Sequence, residues 1–350
     1  MIKKQKIEAI DLFCGIGGLT YGLQKSGINV IAGIDNDNTC EYVYKKNNKT
    51  KFVDADITKY SSIKLRKLYD NKSIKILVGC APCQPFSSHT FKNKSNKKTF
   101  DTRWDLLTHF GKYIKKIKPE VVSMENVRGI VKTDVFKKFI KVLKNNKYHI
   151  DYKIVYVPDY GAAQNRSRLI LLASKLGKIK IPRATHSKEK YVKVEDIIKK
   201  MQPLRAGQMS KKDSLHKAKN LSEKNLARIK QSKQGGTWKD WDEKLLLECY
   251  KKKSGQTYTS VYGRMKWKGV SPTITTQFFN YGSGRFGHPT QNRALSLREG
   301  ALLQTFPENY DFGEVKSMTT TARHIGNAVP PILGEIIGKT IKKHIKKHHD

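Results

Sequence analysis

The chain has 350 residues, of which 38% are hydrophobic, enough for one large domain or two ordinary ones. Its 69 lysines and arginines outnumber its 30 acidic residues, and the formal charge of +39 predicts a polyanionic partner, with nucleic acid as the first candidate. Five cysteines and a short, interrupted apolar run at the N-terminus argue against a disulfide-rich secreted protein, a signal peptide and a membrane span, so we expect a cytoplasmic protein.

Apolar runs alternate with helical patterns over the first half of the chain. The predicted strands cover residues 7–13, 30–35, 74–80, 119–126, 152–157 and 168–174. Helices are expected after the first two strands and over residues 104–117. This alternation predicts an α/β fold with a doubly wound, mostly parallel sheet.

The pattern changes after about residue 178. Short helices are predicted within 188–204 and 221–230, followed by a loop-rich stretch over 255–289 that is rich in glycine, aromatic and basic residues. Amphipathic helices are predicted at 293–306 and 324–345. We therefore expect two lobes, one formed by residues 1–178 plus 312–350 and the other by 179–311.

A glycine-rich loop follows the first predicted strand in the sequence DLFCGIGG, residues 11–18. Asp35 ends the next strand, 20 residues after Gly15, where a carboxylate commonly binds ribose hydroxyls. An adenosine-containing cofactor is therefore expected, although a plain strand–helix turn is the alternative. The dinucleotide fingerprint fails at Thr20, and Asp11 at the loop suits a cation such as the sulfonium of S-adenosylmethionine.

The stretch LVGCAPCQPFSS contains a Cys-x-x-Cys formed by Cys80 and Cys83. A redox pair should open a helix after the first strand of its unit, and zinc needs further ligands at suitable spacing, so neither pattern fits and no metal is expected. We interpret Cys80 as a core residue. Cys83 follows the strand end, where open α/β sheets bind ligands, and this position favours a nucleophile.

Five motifs occur in a fixed order: DLFCGIGG, APCQPFS, MENV, QNRSR and GNAVPP. This set resembles the cytosine-C5 DNA methyltransferases. The resemblance implies the S-adenosylmethionine-dependent methyltransferase fold, with double-stranded DNA as the partner. It also implies that residues 1–178 plus 312–350 form the catalytic, cofactor-binding domain and that 179–311 form the target-recognition domain and hinge.

The resemblance implies a role for each catalytic residue. Cys83 would add to C6 of cytosine and thereby make C5 nucleophilic, and Glu125 would grip N3 and N4, as a protonated acid favoured by a dry pocket. Arg166 and Arg168 are expected to alternate along one strand and to face the same side, with Arg168 contacting the cytosine O2.

Further positions match cofactor contacts of the family or belong to the glycine loop. The predicted cofactor-binding residues are Asp11, Phe13, Gly15, Gly17, Gly18, Asp35, Asn36, Asp56, Ile57, Leu106 and Asn327. Asn36 departs from relatives, which often carry an aromatic residue after the ribose acid. Adenine stacking at that position is therefore not expected.

The target base must leave the stack before its C5 and C6 atoms can react. The long basic segment 85–103 is expected to close over the DNA, and the 255–289 stretch supplies donors for bases or phosphates. The predicted DNA-binding residues are Gln84, Ser87, Lys94, Lys97, Lys98, Arg264, Lys266, Thr273 and Arg285. Thr273 is included because it matches a threonine of family recognition regions.

The compact size favours a monomeric prokaryotic or phage modification enzyme, associated with the nucleoid through DNA, whose genetic partner would be a cognate restriction endonuclease. Three alternatives remain at this point. They are a tRNA cytosine-C5 methyltransferase of the same fold, a non-catalytic DNA-binding regulator, and a nicotinamide-dependent redox enzyme. The failed dinucleotide fingerprint disfavours the last of these.

Overall fold

The computed structural model describes residues 5–82 and 105–349. The chain divides into two compact units. The first comprises 1–156, 167–184 and 329–350, and the second comprises 157–166 and 185–328. Among the described residues, no helix combines the length and apolar character needed to cross a bilayer.

The first unit contains a seven-stranded sheet. Its strands are β1 (Ile7–Leu12), β2 (Asn29–Asp35), β3 (Lys51–Asp54), β4 (Ile74–Gly79), β5 (Val121–Val127), β6 (His149–Tyr156) and β7 (Ser167–Ser174). The spatial order is β3-β2-β1-β4-β5-β7-β6; the pairs among β1 to β5 are parallel, and β7 runs antiparallel to both β5 and β6. The predicted mostly parallel α/β sheet is therefore confirmed. The short strand β3 was not predicted, because its sequence KFVD offers no sustained apolar run.

Helices flank this sheet. Those of the first unit are α1 (Gly18–Lys25), α2 (Glu41–Asn48), α3 (Ser62–Arg66), α4 (Asp105–Ile117), α5 (Asp134–Asn145) and α11 (Pro331–His349). Helices α1 and α11 pack backbone to backbone, since a Cβ on Gly22 would lie 2.2 Å from the carbonyl oxygen of Pro331. Helix α11 thereby supports the helix into which the glycine loop leads.

The second unit is built mainly from loops and short helices. Its helices are α6 (Val194–Ile198), α7 (Glu223–Gln231), α8 (Glu248–Lys251), α9 (Leu297–Leu303) and α10 (Met318–Asn327). Part of its core is aromatic: the rings of Trp238 and Tyr250 stack with centroids 4.4 Å apart, and Trp241 packs edge-on against Tyr262. These large side chains bury much apolar area in a region with little regular structure.

The predicted single helix over 324–345 is wrong. The structure ends α10 at Asn327 and begins α11 at Pro331, and Ala328 between them has an extended ψ of 145°. Proline lacks an N–H group and disfavours the helical conformation of the residue before it, so the pair Pro330-Pro331 interrupts the helix.

The units change at 156/157, 166/167, 184/185 and 328/329, whereas the sequence suggested lobe boundaries at 178/179 and 311/312 only. The backbone N–H of Ile181 donates to Asp151 on β6, at 2.8 Å, which ties the end of this segment to the first unit. Gln304 donates to the carbonyl oxygen of Ile325 at 3.1 Å, which ties α10 to α9 within the second unit. Side-chain contacts of this kind cannot be read from composition.

Candidate active site

The carboxyl ends of β1, β2, β4 and β5 meet at one edge of the sheet because these strands are parallel. Strand β7 is antiparallel, so its beginning lies at the same edge. This geometry gathers the glycine loop, Asp35, Cys80, Glu125 and Arg168 in the first unit. Open α/β sheets bind their ligands at such an edge.

The glycine loop is held in place by Asp35. The N–H of Gly15 donates to Asp35 Oδ2 at 2.7 Å, and the N–H of Asp37 donates to Oδ1 at 3.0 Å. Burial raises the pKa of Asp35, although these two N–H groups oppose the shift. Gly17 has φ 87°, and a Cβ there would lie 2.2 Å from Asn48 Nδ2. The loop therefore requires glycine at this position.

Asp11 lies in the core and not at the surface of the loop, which corrects its predicted position. Its side chain is only 1% exposed, and Thr20 donates to Asp11 Oδ2 at 2.8 Å. The Tyr44 hydroxyl lies 3.2 Å from the Thr20 hydroxyl. Burial raises the pKa of Asp11 to about 7. The hydrogen bond between Asp11 on β1 and Thr20 on α1 supports the glycine loop that joins these two elements.

The other predicted cofactor residues occupy varied environments. Asn36 is exposed after β2, and Asp56 is half-buried and accepts from the N–H of Thr58 at 2.9 Å, which lowers the Asp56 pKa. Ile57 is buried, and Leu106 is half-buried on α4. Asn327 is exposed at the end of α10, in the second unit.

Glu125 on β5 is 3% exposed and lies between two donors. Arg168 pairs with Val127 across the antiparallel ladder, so it stands diagonally opposite Glu125 on the same face, and its Nε lies 3.1 Å from Glu125 Oε1. This contact lacks hydrogen-bond geometry, and no described residue donates a hydrogen bond to Oε1. A buried carboxylate oxygen without a donor is unusual and can accept one from a ligand.

The interpretation of Cys80 as a core residue is wrong. Cys80 is half-buried, and its thiol donates to Glu125 Oε2 at 2.8 Å. Gly79 pairs with Met124 in the parallel ladder, so the residues that follow them, Cys80 and Glu125, lie side by side. The contact depends on β4 and β5 being neighbours in register, for which the sequence carries no local signal.

Asn126 is a site residue to which the sequence alone assigned no role. It is 1% exposed, and its Nδ2 donates to the carbonyl oxygen of Ala81 at 3.1 Å. The contact fixes the backbone just after β4 to the end of β5. Cys83, Gln84, Ser87, Lys94, Lys97 and Lys98 lie outside the described residues.

Arg166 does not share a strand face with Arg168, contrary to the prediction. It precedes β7, belongs to the second unit and is 3% exposed. Its guanidinium donates to the carbonyl oxygens of Ile274 and Ala328 at 3.3 and 3.4 Å. These contacts give Arg166 a structural role in that unit.

Arg264 was predicted to contact DNA, and its burial contradicts this. It is 5% exposed, and all five of its N–H groups donate to neighbours within the second unit. The acceptors are the carbonyl oxygens of Ser232, Ile229, His288 and Gln291 and the side chain of Asn292. No donor remains for a base or a phosphate, because a guanidinium has five N–H groups.

The remaining predicted DNA-binding residues of the second unit are more accessible. Lys266 is exposed, and Arg285 is half-buried and donates one N–H to the carbonyl oxygen of Gly235 at 2.5 Å. The Thr273 hydroxyl donates to the carbonyl oxygen of Asn165. Lys266 and Arg285 therefore retain donors that could meet a ligand.

Comparison with known proteins links this geometry to a family. The profile described as C-5 cytosine-specific DNA methylase matches residues 7–343. The Type II methylase M.HgiDII of Herpetosiphon aurantiacus is 50% identical over 333 residues, which cover 93% of this chain and 92% of that protein. The Type II methyltransferase M1.BsuMI of Bacillus subtilis is 28% identical and covers 93% of this chain and 78% of its own.

Solved structures show the same fold. The crystal structure of a Spodoptera frugiperda DNMT2 mutant matches with a TM-score of 0.66 and 18% identity, over 97% of this chain and 100% of that one. At this identity the likeness is informative about the fold alone.

Proposed function

The chain belongs to the C-5 cytosine-specific DNA methylase family, and from this premise we propose that Cys83 is its nucleophile and that Glu125 and Arg168 hold the target base. The enzyme is a DNA cytosine-5 methyltransferase with DNA as substrate and S-adenosylmethionine as methyl donor, as the sequence predicted. The tRNA methyltransferase and the non-catalytic regulator are not favoured. The roles of individual residues, the monomeric state, the association with the nucleoid and the cognate endonuclease are our proposals.

The proposal for Glu125 rests on one observation. Its Oε1 is buried beside Arg168 Nε, and no described residue donates a hydrogen bond to it. A flipped cytosine offers donors at its 4-amino group and, when protonated, at N3, and either would satisfy this oxygen. The side chain of Arg168 is 16% exposed, so its guanidinium can also meet the base at O2.

The proposed chemistry follows from the electronic character of cytosine. The Cys83 thiolate forms a bond to C6 and so raises electron density at C5. Negative charge develops on the ring as the sulfur adds, and a proton shared between Glu125 and N3 neutralises it, while Arg168 faces the neighbouring carbonyl oxygen. After C5 has been methylated, loss of the C5 proton and expulsion of the Cys83 sulfur restore the aromatic ring.

The loop geometry fits an adenosine-containing methyl donor. A Cβ on Gly15 would meet no atom within 4 Å, so open space borders the loop beside the Asp35 carboxylate. S-adenosylmethionine, when bound, supplies an electrophilic methyl group on sulfur. We propose that the first-unit residues that hold it are Phe13, Gly15, Gly17, Gly18, Asp35, Asn36, Asp56, Ile57 and Leu106, and the contact predicted for Asn327 of the second unit stays a prediction. Asp11 supports the loop from the core and makes no direct contact.

We assign target recognition to the second unit and catalysis to the first. Lys266, Thr273 and Arg285 are the recognition residues that we retain. The charge of +39 favours binding to DNA of any sequence, and we therefore propose association with the nucleoid. The relatives named as Type II enzymes support a role in restriction-modification, with a cognate endonuclease as a genetic partner. We propose that the enzyme acts as a monomer.

Methyl transfer to DNA of a host that lacks cytosine methylation tests the proposal. Radiolabel from S-adenosylmethionine should enter the DNA, and bisulfite sequencing should place it on one cytosine of one short sequence. Cys83→Ser should reduce incorporation by at least about a thousandfold because a hydroxyl is a much weaker nucleophile. Incorporation into tRNA but not duplex DNA, or full activity of the serine variant, would contradict the assignment.

A further inference from the structure

We propose that Cys80 is a positioning residue for the methyl transfer and that its thiol fixes the carboxyl plane of Glu125. This inference rests on the proposed role of Glu125 in gripping cytosine. It concerns the first cysteine of the Cys-x-x-Cys, which is distinct from the proposed nucleophile.

The carboxyl group of Glu125 needs external contacts to hold its orientation. The terminal torsion of glutamate has a broad energy profile, so the chain itself does not define which way the two oxygens point. Arg168 on β7 lies 3.1 Å from Oε1, and the Cys80 thiol donates to Oε2 at 2.8 Å. Because the two contacts come from opposite flanking strands, rotation of the carboxyl group would break both.

This arrangement leaves a defined orientation for the substrate. With Oε2 engaged by the thiol, Oε1 keeps its free acceptor capacity beside Arg168. A cytosine that approaches from the sheet edge therefore meets a preset acceptor and a preset guanidinium. Preorganised polar groups stabilise charge without reorientation during the reaction, so loss of the thiol should slow the chemical step.

The thiol is suited to this position because it is a weak hydrogen-bond donor. It can orient the carboxylate and still leave Oε2 able to share its second lone pair with the cytosine amino group. Serine offers a donor of similar geometry, whereas alanine offers none. The pair of variants Cys80→Ser and Cys80→Ala therefore separates hydrogen bonding from packing.

The test is steady-state kinetics on a duplex that carries the methylated sequence found by bisulfite sequencing. We expect Cys80→Ala to lower kcat five- to twentyfold, with the KM for S-adenosylmethionine unchanged. Cys80→Ser should stay within threefold of the parent enzyme. The exposed Cys249 provides a matched control, and Cys249→Ala should not change kcat.

A double-mutant cycle with Glu125→Gln shows whether Cys80 acts through Glu125. In that background Cys80→Ala should cause no further loss. The same loss in both backgrounds, or no loss in the parent enzyme, would overturn the inference. If Glu125→Gln itself keeps full kcat, the proposed function of Glu125 fails. If Glu125→Gln lowers kcat but Cys80→Ala does not, only the inference about Cys80 fails.

Discussion

Each unit contains a buried glutamate beside an arginine, but the two pairs differ in how completely they are satisfied. In the second unit Arg293 and Glu299 are fully buried and make two contacts of 2.7 Å, and Glu299 also accepts from the N–H of Ser296. In the first unit Arg168 makes one 3.1 Å contact to Glu125, and no described residue hydrogen-bonds Oε1.

The difference separates a structural pair from a candidate catalytic pair. Burial alone would raise the pKa of Glu299, but the Arg293 guanidinium, His288 and the Ser296 N–H together outweigh it and lower the pKa to about 2. The carboxylate also caps α9 through Ser296, so its acceptor capacity serves the fold. Glu125 keeps part of its capacity open at the ligand edge of the sheet. The open acceptor of Glu125, together with its position at the ligand edge of the sheet, is what indicates chemistry.

Breaking the structural pair should have the largest effect. Glu299→Gln leaves the guanidinium of Arg293 buried without its counter-charge, and we expect the free energy of unfolding to fall by about 3–5 kcal/mol. Urea denaturation followed by fluorescence of the tryptophans in the second unit measures this. Lys137→Gln, which breaks the exposed pair with Asp134, is the control and should not move the midpoint. Equal midpoints for the two variants would refute the structural assignment.

Asp11, a buried carboxyl group, should make the protein less stable as pH rises, whereas Glu299, whose pKa is lowered, should make it more stable. Burial raises the pKa of Asp11 from 3.8 to about 7, so the folded chain keeps a proton that the unfolded chain releases. The free energy of unfolding therefore falls as pH rises from about 4 to 7, by up to about 4 kcal/mol for this group.

Asp11→Asn should remove that contribution. Denaturation at pH 4, 5.5 and 7 should show the variant gaining stability relative to the parent as pH rises. His288 acts in the opposite direction, because burial lowers its pKa to about 4 and its contribution grows between pH 4 and 6.5. A difference between variant and parent that does not depend on pH would contradict the assignment of a proton to Asp11.

Breaking the candidate catalytic pair should affect activity more than stability. Glu125→Gln keeps the shape of the side chain but removes its charge and one acceptor. We expect kcat to fall about a hundredfold, roughly 3 kcal/mol of barrier. The free energy of unfolding should fall by less than in Glu299→Gln, because Arg168 makes a single contact without hydrogen-bond geometry and keeps 16% of its side chain exposed. A large loss of stability with near-normal kcat would place Glu125 in the same class as Glu299.

The sequence located the parts of the site that depend on strand ends. Asp35, Glu125 and Arg168 each lie where the alternation of apolar runs and helices predicted an end of a strand. The break in the last predicted helix could have been foreseen, because two prolines stand at 330 and 331.

The errors concern burial and strand register. Arg264 and Lys266 are both basic residues of one loop-rich stretch, yet the first is enclosed by carbonyl oxygens and the second is exposed. The contact between Cys80 and Glu125 depends on β4 and β5 being neighbours in register. Such long-range pairings are set by tertiary packing and leave no local pattern in the sequence.

The most direct test of the account is to identify the cysteine that bonds to cytosine. A duplex with 5-fluorocytosine in the methylated sequence should trap the enzyme in the presence of S-adenosylmethionine, because fluorine at C5 cannot leave as a proton does. Peptide mapping by mass spectrometry should place the nucleotide on Cys83 in the parent enzyme and equally in Cys80→Ala. No adduct, or an adduct on Cys80 or any other residue, would contradict the account.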